Sequence, residues 1–537
     1  MPLALAGPSS PIVRLGDPCK GEKRIGSRTS RVTWTVPGTP ARGSATARAL
    51  EPWGADAILL PLSRPIRRPR GSTRLLVPAA SLFPKLPRMG IIKAYDIRGL
   101  YPKELDAATG RKIGNAFARL LKAKRLVVGR DMRTHSPELA AAVIEGMRDA
   151  GADVIDIGLA STPMAYYAIG SIDCDGGLNV TASHNPGEYN GMKLCSRGAR
   201  PISAANGILD VERMCKEPTP PPVAKRGSLT TRDLLAEYAA HVARFAEMKR
   251  DVKIAIDAAN GMEAYTLPSI LERVPKIKAT TLFMQLDGTF PNHEANPLKE
   301  ENLDPVRALV KRERCEIGVG FDGDADRCCF VDESGRTVGN DLMTALLARE
   351  ILAKNPGVPI VYDLRSSWVV KEEVRRHGGV PIRDRVGHSF IKATMREKGA
   401  VFGGELSGHF YFAPNFVCDS GVIAMVSALN LLSREAKPFS ALVADLRRYH
   451  ATGEINFHVD DKARAIADLK ARYRDGRQDE LDGITVEYGD VGDREWWWFN
   501  VRASNTEPLL RLNLEASSAA LRDRRRDEIV ALLGTPE

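Results

Sequence analysis

The chain has 537 residues, which at about 150 residues per domain corresponds to three or four domains. Its composition is that of a globular protein, and no apolar run reaches the ~18 residues of a membrane span or follows the pattern of a secretory signal. Eight scattered cysteines without a C-x-x-C pair argue against a disulfide framework and a zinc site, and they indicate a reducing, cytoplasmic setting.

Positive charge is concentrated in residues 1–88. They contain 15 Lys and Arg against 4 Asp and Glu (net +11), whereas residues 89–537 contain 62 against 63 (net −1). With 13 of the 34 prolines and no sustained period, this segment is predicted to be a poorly ordered basic extension. It could be a transit sequence or bind nucleic acid or another anionic surface. We favour Met89 as the true start, and we expect no nucleic acid on the folded part.

After Met89 the chain alternates β-rich apolar runs with helical patterns. Such alternation is typical of α/β crossover units, and ligands bind at the carboxyl ends of strands in open α/β sheets. In the first unit Ser136 is predicted to cap a helix that ends at Gly151. Four of the apolar runs end in aspartate, at Asp131, Asp257, Asp322 and Asp363.

The loop at residues 181–186 reads Thr-Ala-Ser-His-Asn-Pro. A strand-like run precedes it and Asn185-Pro186-Gly187 forces a turn after it. The hydroxyl of Ser183 is therefore predicted to project from an exposed loop at a strand end. By itself this motif fits an ordinary turn as well as a displayed nucleophile.

A proline-rich run at residues 217–222 reads as a linker. The predicted domains are α/β domains at 89–230, 231–337 and 338–449, and a smaller α+β domain at 450–537. The tryptophans at 496–498 in the last domain are predicted to pack in its core or at its edge rather than to stack on a ligand.

Three carboxylates, Asp322, Asp324 and Asp326, alternate with small residues after an apolar run. A tight loop can direct such carboxylates at one point, which suits the oxygen coordination of Mg²⁺. A solvated acidic turn is the alternative. A calcium-binding EF-hand is disfavoured because Arg327 stands at the sixth position, where glycine is required, although Glu333 falls at the twelfth.

The glycine-rich segment 403–409 carries Glu405, Ser407 and His409. On an extended backbone Glu405 and Ser407 point the same way and could hold two adjacent sugar hydroxyls, while His409 could exchange a proton near neutral pH. A packed, hydrogen-bonded histidine is the alternative, because three aromatic residues follow it.

Residues 502–508 read Arg-Ala-Ser-Asn-Thr-Glu-Pro, and Arg511 follows. Guanidinium, hydroxyl and amide donors on a turn are typical of phosphate binding without a metal. A capped turn is the alternative, but the two arginines favour phosphate.

In their order along the chain, these segments resemble the α-D-phosphohexomutases, most closely the bacterial phosphomannomutase/phosphoglucomutase branch. The resemblance covers residues 91–530 and implies four domains around a deep cleft, of which three are related α/β domains with mixed sheets and the last is a smaller α+β domain. The motifs that carry it are 93–99 (Lys-Ala-Tyr-Asp-Ile-Arg-Gly), 181–186 with 189–193, the Asp322 loop, 386–392 (Val-Gly-His-Ser-Phe-Ile-Lys), 404–409 and 502–508.

The resemblance implies that Ser183 carries the phosphoryl group and that the three aspartates bind Mg²⁺ together with its phosphate. Arg98, Lys193 and Arg327 would surround the transferring group, with Lys193 and His409 as proton-transfer partners. Arg365 stands where other branches place lysine, which changes the geometry of a phosphosugar contact. The residues expected to contact substrate are Tyr95, His184, Arg365, His388, Glu405, Ser407 and, around the non-reacting phosphate, Arg502, Ser504, Asn505, Thr506 and Arg511.

The reaction implied by the resemblance interconverts hexose 1-phosphate and hexose 6-phosphate. Phosphoserine gives its phosphoryl group to O6, the 1,6-bisphosphate turns around, and Ser183 takes the phosphate from O1. Hexose 1,6-bisphosphate would be the activator, and supply of sugar nucleotides such as GDP-mannose the setting. The 404–409 sequence favours mannose and glucose phosphates, with glucosamine and acetylglucosamine phosphates as alternatives. A serine-dependent sugar phosphatase would share the nucleophile and metal but has no use for a second phosphate loop.

Overall fold

The computed structural model describes residues 90–93, 95–504 and 509–537. The predicted basic extension, the proposed start at Met89 and the predicted site residues Asn505 and Thr506 lie outside these described residues. Within them, no helix combines the length and apolar character needed to cross a membrane. The cysteines of the described part are buried and form no disulfide.

Domain I is built on a mixed sheet. Its elements are β1 Ile97–Leu100, α1 Ala107–Leu121, β2 Arg125–Arg130, α2 Ser136–Asp149, β3 Asp153–Leu159, α3 Thr162–Ser171, β4 Gly176–Val180, β5 Tyr189–Ser196, β6 Arg200–Pro201, α4 Ile208–Lys216 and β7 Leu229–Thr231. The strand order is β1-β5-β4-β2-β3-β7, and β6 pairs with β5. The predicted cap at Ser136 is wrong by one residue: His135 is the N-cap, because the Ser136 hydroxyl donates to Asp131 instead.

Domain II follows with a smaller sheet. Its elements are α5 Leu235–Ala243, β8 Val252–Asp257, α6 Glu263–Arg273, β9 Ile277–Leu282, α7 Asp304–Glu313, β10 Ile317–Phe321, β11 Cys328–Asp332 and β12 Thr337–Val338. The strand order is β12-β11-β10-β8-β9. Strand β10 is buried along its whole length, which explains why its sequence is an unbroken apolar and glycine run.

Domain III has the same sheet arrangement. Its elements are α8 Asn340–Lys354, β13 Pro359–Asp363, α9 Trp368–Arg376, β14 Val380–Asp384, α10 His388–Lys398, β15 Phe402–Gly404, β16 Phe410–Phe412, β17 Cys418–Asp419, α11 Gly421–Arg434 and α12 Phe439–Val443. The strand order is β14-β13-β15-β16-β17.

Domain IV is an antiparallel sheet with helices. Its elements are β18 His450–His458, α13 Lys462–Arg472, β19 Arg477–Asp479, β20 Ile484–Tyr488, β21 Trp497–Ala503, β22 Leu509–Ala516 and α14 Ala519–Leu533. The strand order is β18-β22-β21-β20-β19. The fold class predicted from the sequence is confirmed: three α/β domains with mixed sheets precede an antiparallel α+β domain.

The first three domains place their functional loops at one equivalent position. In each of these domains, three strands that follow one another in the chain lie side by side through two parallel pairings: β2 to β4, β8 to β10 and β13 to β15. The next strand in the chain pairs antiparallel with the last of the three. The connection into that antiparallel strand is β4–β5 in domain I, β10–β11 in domain II and β15–β16 in domain III. These connections hold the Ser183 loop, the Asp322 loop and the Glu405 loop respectively, at the carboxyl ends of the parallel strands.

The hydrophobic core joins domains I to III into one body. A single cluster of buried side chains includes Ile169 of α3, Leu267 of α6 and Leu347 of α8. Domain IV has a core of its own, and it meets domain III partly through stacked Trp368 and Trp496 rings, whose centroids lie 4.5 Å apart. Domain IV therefore contacts domain III without joining the core that domains I to III share.

Candidate active site

A cleft of about 580 Å³ receives side chains from all four domains. Its lining has seven Lys and Arg side chains against four carboxylates, so an anionic ligand is favoured there. The predicted site residues on its walls are Tyr95, Arg98, His184, Lys193, Arg327, Arg365, His388, Glu405, Ser407, His409, Arg502, Ser504 and Arg511.

Ser183 lies on the loop between β4 and β5, as expected, but it is not exposed. Its relative exposure is 0%, because the Asp322 loop of domain II covers it. A Cβ added to Gly323 would stand 2.5 Å from the Ser183 carbonyl oxygen, so only glycine permits this approach. The Ser183 Oγ lies 3.0 Å from Asp322 Oδ2 and 3.2 Å from His184 Nδ1.

The backbone of the Ser183 loop is held by Arg133, which the sequence did not single out. This side chain is fully buried and donates to the carbonyl oxygens of Ser183 at 2.9 Å and Asn185 at 2.6 Å. It also donates to the carbonyls of Pro186 and Tyr189. Ser183 itself has φ 53°, a left-handed conformation that such fixed contacts can maintain. The signal in the sequence was weak: an arginine two residues after a strand-ending aspartate.

The structure brings Asp322, Asp324 and Asp326 together as a carboxylate cluster. All three are completely buried, and one oxygen from each lies within 4.8 Å of the others. Asp324 Oδ1 and Asp326 Oδ1 are buried without a hydrogen-bond partner among the described residues. Buried carboxylate oxygens that lack donors suit a hard divalent cation, so these residues fit Mg²⁺.

The pKa shifts in the carboxylate cluster also indicate a site for a cation. Burial and the neighbouring Asp324 and Asp326 raise the pKa of Asp322 well above its usual range. Burial also raises the pKa of Asp326, but the opposing effects of Lys193 and His409 prevail and hold it well below the usual range. Lys193 and His409 compensate only part of the negative charge of the three neighbouring carboxylates. The cluster can therefore accept a further cation.

Three predicted cations surround the serine and the carboxylate cluster. Lys193 Nζ lies 2.8 Å from Asp324 Oδ2 and also pairs with Asp326. Arg98 donates to the Ala182 carbonyl at 2.9 Å, directly before the serine. Arg327 Nε lies 3.8 Å from Asp322 Oδ2. Burial lowers the pKa of Lys193, but its two aspartates outweigh burial and raise the pKa overall, so the ammonium stays charged.

In the domain III loop, Glu405, Ser407 and His409 contact one another. Glu405 Oε2 accepts from Ser407 Oγ at 3.2 Å and lies 3.0 Å from His409 Nδ1. Burial and Arg327 lower the pKa of His409, whereas Asp326 and Glu405 raise it, with a net rise to about 9. Burial raises the pKa of Glu405, but His409 and Arg365 bring it down to about 2.

Three further residues predicted to contact substrate, Tyr95, His184 and His388, also line the cleft. The Tyr95 and His388 rings meet edge-on with centroids 4.8 Å apart. Burial and nearby Lys392 hold the pKa of His388 well below its usual range, and burial and Arg327 do the same for His184. Both histidines are therefore neutral and can accept a hydrogen bond.

Domains III and IV contribute an arginine grip, which we define as Arg365, Arg502 and Arg511. Arg365 follows β13, and the other two stand directly opposite each other on β21 and β22. Ser504 lines the cleft beside them. All three guanidiniums reach the carboxylate of Glu454, a residue that the sequence did not single out. Converging guanidiniums of this kind suit a phosphate group.

This fold and the loops at its cleft define the phosphohexomutase class, isomerases of carbohydrate metabolism. The chain belongs to the phosphoglucomutase/phosphomannomutase family. It matches the family's alpha/beta/alpha domain I at residues 89–217, domain II at 236–335, domain III at 339–449 and the C-terminal domain at 454–532.

The similarity to individual relatives covers nearly the whole length of each relative. A phosphomannomutase of Escherichia coli is 38% identical over 454 residues, which are 82% of this chain and 98% of the relative. A phosphomannomutase of Methanocaldococcus jannaschii is 38% identical, covering 82% and 97%. The crystal structure of a phosphoglucomutase/phosphomannomutase family protein from Burkholderia thailandensis superimposes with a TM-score of 0.76 at 34% identity, covering 83% and 98%.

Proposed function

We propose that the protein is a phosphomannomutase/phosphoglucomutase that works through a phosphorylated Ser183 and a hexose 1,6-bisphosphate intermediate. One observation carries the proposal: the cleft that the arginine grip lines is also lined by His184, Lys193 and Arg327, and these side chains contact the buried Ser183 and its carboxylate cluster directly beneath the wall. A mutase must transfer one phosphoryl group while holding another. A phosphatase needs only the first of these sites.

The proposed reaction begins with a hexose 1-phosphate whose phosphate lies in the arginine grip. The sugar O6 attacks the phosphorus on Ser183, the bond from phosphorus to Oγ breaks, and the proton of the O6 hydroxyl passes to a basic side chain. The bisphosphate then turns around, and Oγ takes the phosphoryl group from O1. Phosphoryl transfer needs mostly positioning and charge stabilisation, which Arg98, Lys193 and Arg327 supply beside Oγ.

Lys193 and His409 are proposed to transfer the protons of the reaction. Lys193 keeps its charge next to the aspartates, so it would stabilise the transferring group and donate to Oγ when serine leaves. His409, whose ring reaches the cleft, would take the proton of the sugar hydroxyl in its neutral form, which is the minority form near neutral pH because Asp326 and Glu405 raise its pKa to about 9. Glu405 and Ser407 would contact other sugar hydroxyls.

Asp322, Asp324 and Asp326 would hold Mg²⁺. When bound, the ion would neutralise charge on the phosphoryl oxygens during transfer. Lys193 pairs with Asp324 and Asp326 and compensates part of their charge, so chelation of the ion is expected to remove activity without unfolding the domain.

The choice of sugar is tested by comparing turnover of mannose 1-phosphate, glucose 1-phosphate and glucosamine 1-phosphate with hexose 1,6-bisphosphate as activator. We expect mannose and glucose phosphates to be isomerised with the larger kcat/KM. A strong preference for the amino sugar would make the enzyme a phosphoglucosamine mutase instead. Release of free sugar and inorganic phosphate would indicate the phosphatase.

Replacement of the proposed nucleophile gives a direct test. Ser183→Ala removes the only atom proposed to carry the phosphoryl group, so incorporation of labelled phosphate from the bisphosphate should fall to background. Thr181→Ser in the same loop is the matched control and should still be labelled. Labelling of the alanine variant at another residue would refute the assignment.

A further inference from the structure

The carboxylate of Glu454 lies at the centre of the arginine grip. Its Oε2 is 3.4 Å from Arg365 Nη1 and 3.2 Å from Arg502 Nη2, and its Oε1 is 2.9 Å from Arg511 Nη1. Glu454 thus bridges domain III and domain IV. Its side chain is about three-quarters buried, with 24% exposed, and it lines the cleft.

The strand register explains why a carboxylate is needed there. Arg502 and Arg511 are direct partners across β21 and β22, and like charges directly opposite each other destabilise a sheet. Arg511 also stands opposite Asn456 of β18, so Glu454, two residues earlier, is on the same face. A register shift between Ala451 and Glu454, with Gly453 at φ 72°, re-aims the strand just before the carboxylate.

The charges of this group match a phosphate monoester. Three guanidiniums and one carboxylate leave a net charge of +2, and a phosphate monoester carries about −1.5 to −2 near neutral pH. Burial raises the pKa of Glu454, but Arg365 and Arg511 outweigh it and lower the pKa overall, so the carboxylate is ionised. Arg502 Nε is buried without a hydrogen-bond partner among the described residues, so its guanidinium keeps a donor that Glu454 does not use.

We propose that Glu454 is a positioning residue that stands in for a phosphate oxygen in the arginine grip and weakens its hold on phosphate. The inference rests on the proposed function, in which the grip binds the non-reacting phosphate. Glu454 orders the arginines of two domains when the grip is free, and it competes with the phosphate once substrate arrives.

This competition matters because the bisphosphate intermediate must release its phosphate from the arginine grip before it can turn around. Between the two half-reactions the bisphosphate exchanges one phosphate for the other in the same grip. An unopposed set of three arginines would hold either phosphate more tightly, and tighter binding of ground states lowers KM without accelerating the reaction. Glu454 therefore favours release and reorientation over affinity.

The test compares binding of inorganic phosphate to the full chain and to Glu454→Gln by titration calorimetry, in EDTA and at fixed low salt. Loss of the carboxylate should tighten binding by about tenfold, with a steeper salt dependence. With substrate, KM and kcat should both fall. Glu487→Gln removes a carboxylate from the same sheet, where it pairs with Arg383 and Arg477 outside the grip, and should bind phosphate like the wild type.

Two further variants separate the outcomes. Arg502→Gln should lose the phosphate binding; if it binds as the wild type does, the grip itself, and with it the proposed function, is wrong. Glu454→Asp withdraws the carboxylate by one methylene and should tighten phosphate binding less than glutamine does. If Arg502→Gln loses binding but neither folded Glu454 variant binds phosphate more tightly than wild type, only the inference about Glu454 fails.

Discussion

Glu515 is a buried acid at the contact between domains III and IV. Its Oε2 accepts from the Trp368 backbone N–H at 2.9 Å and from Trp498 Nε1 at 3.0 Å. Burial raises the pKa of Glu515 from 4.5 to about 7, against the lowering effect of these hydrogen bonds. The folded protein therefore holds this proton more tightly than the unfolded chain does.

The consequence is a pH-dependent stability. The contribution of protonated Glu515 is complete below pH ~4.5 and is lost as pH rises through about 7, a change on the order of 3 kcal/mol. Glu515→Gln keeps an oxygen acceptor for both tryptophan donors and has no charge to bury. We expect thermal unfolding of this variant to depend less on pH between 5 and 8, and its melting temperature at pH 8 to exceed that of wild type.

An exposed glutamate provides the control for this measurement. Glu480 is 63% exposed and pairs only with Lys470 among the contacts of its side chain in the described structure. Glu480→Gln should leave the pH profile of wild type unchanged. A Glu515→Gln profile parallel to that of wild type would show that Glu515 is ionised in the folded state throughout this range.

At the scale of elements, the Ser183 loop depends on its support from Arg133. This guanidinium donates to four backbone carbonyls of the loop and pairs with Asp131 at 3.2 Å. Lysine at this position keeps the charge but cannot present a planar fork of five donors. Buried carbonyls left without donors cost about 1–3 kcal/mol each.

We therefore expect Arg133→Lys to lower the melting temperature and to reduce the rate of phosphoenzyme formation by at least about tenfold, since misplacing the nucleophile by 1 Å can cost more than that. The rate is measured by rapid-quench labelling with bisphosphate. Arg130→Lys, at the end of β2, is the matched control and should retain the wild-type rate. An unchanged labelling rate in Arg133→Lys would mean that the loop keeps its geometry without the guanidinium.

The sequence could predict elements and loops whose form depends on residues close together in the chain. Apolar runs that end at aspartate predicted the parallel strands, and alternate carboxylates predicted the Asp322 loop. It could not predict that another domain buries Ser183, because the contact with Gly323 joins residues far apart in the chain. Glu454 was missed for a similar reason: one glutamate on a strand is ordinary until the register places two arginines beside it.

At the scale of the whole molecule, the first residue that lines the cleft in the described part of the chain is Lys93. A chain that starts at Met89 should therefore match the full chain in mutase kcat/KM. Nucleic-acid binding by the full chain but not by the shortened chain would assign a separate role to the basic extension. A loss of mutase activity in the shortened chain, with the melting temperature retained, would show that the extension takes part in catalysis.

Synthesis on the ribosome completes this cleft in a fixed order. Ser183 and the carboxylate cluster belong to domains that are made, and can fold, before Arg502 and Arg511 have been added. A chain interrupted after domain III would contain the proposed nucleophile Ser183 but only Arg365 of the arginine grip. Such a fragment could not hold the non-reacting phosphate of a sugar substrate, so we expect premature termination after domain III to abolish isomerisation rather than to slow it.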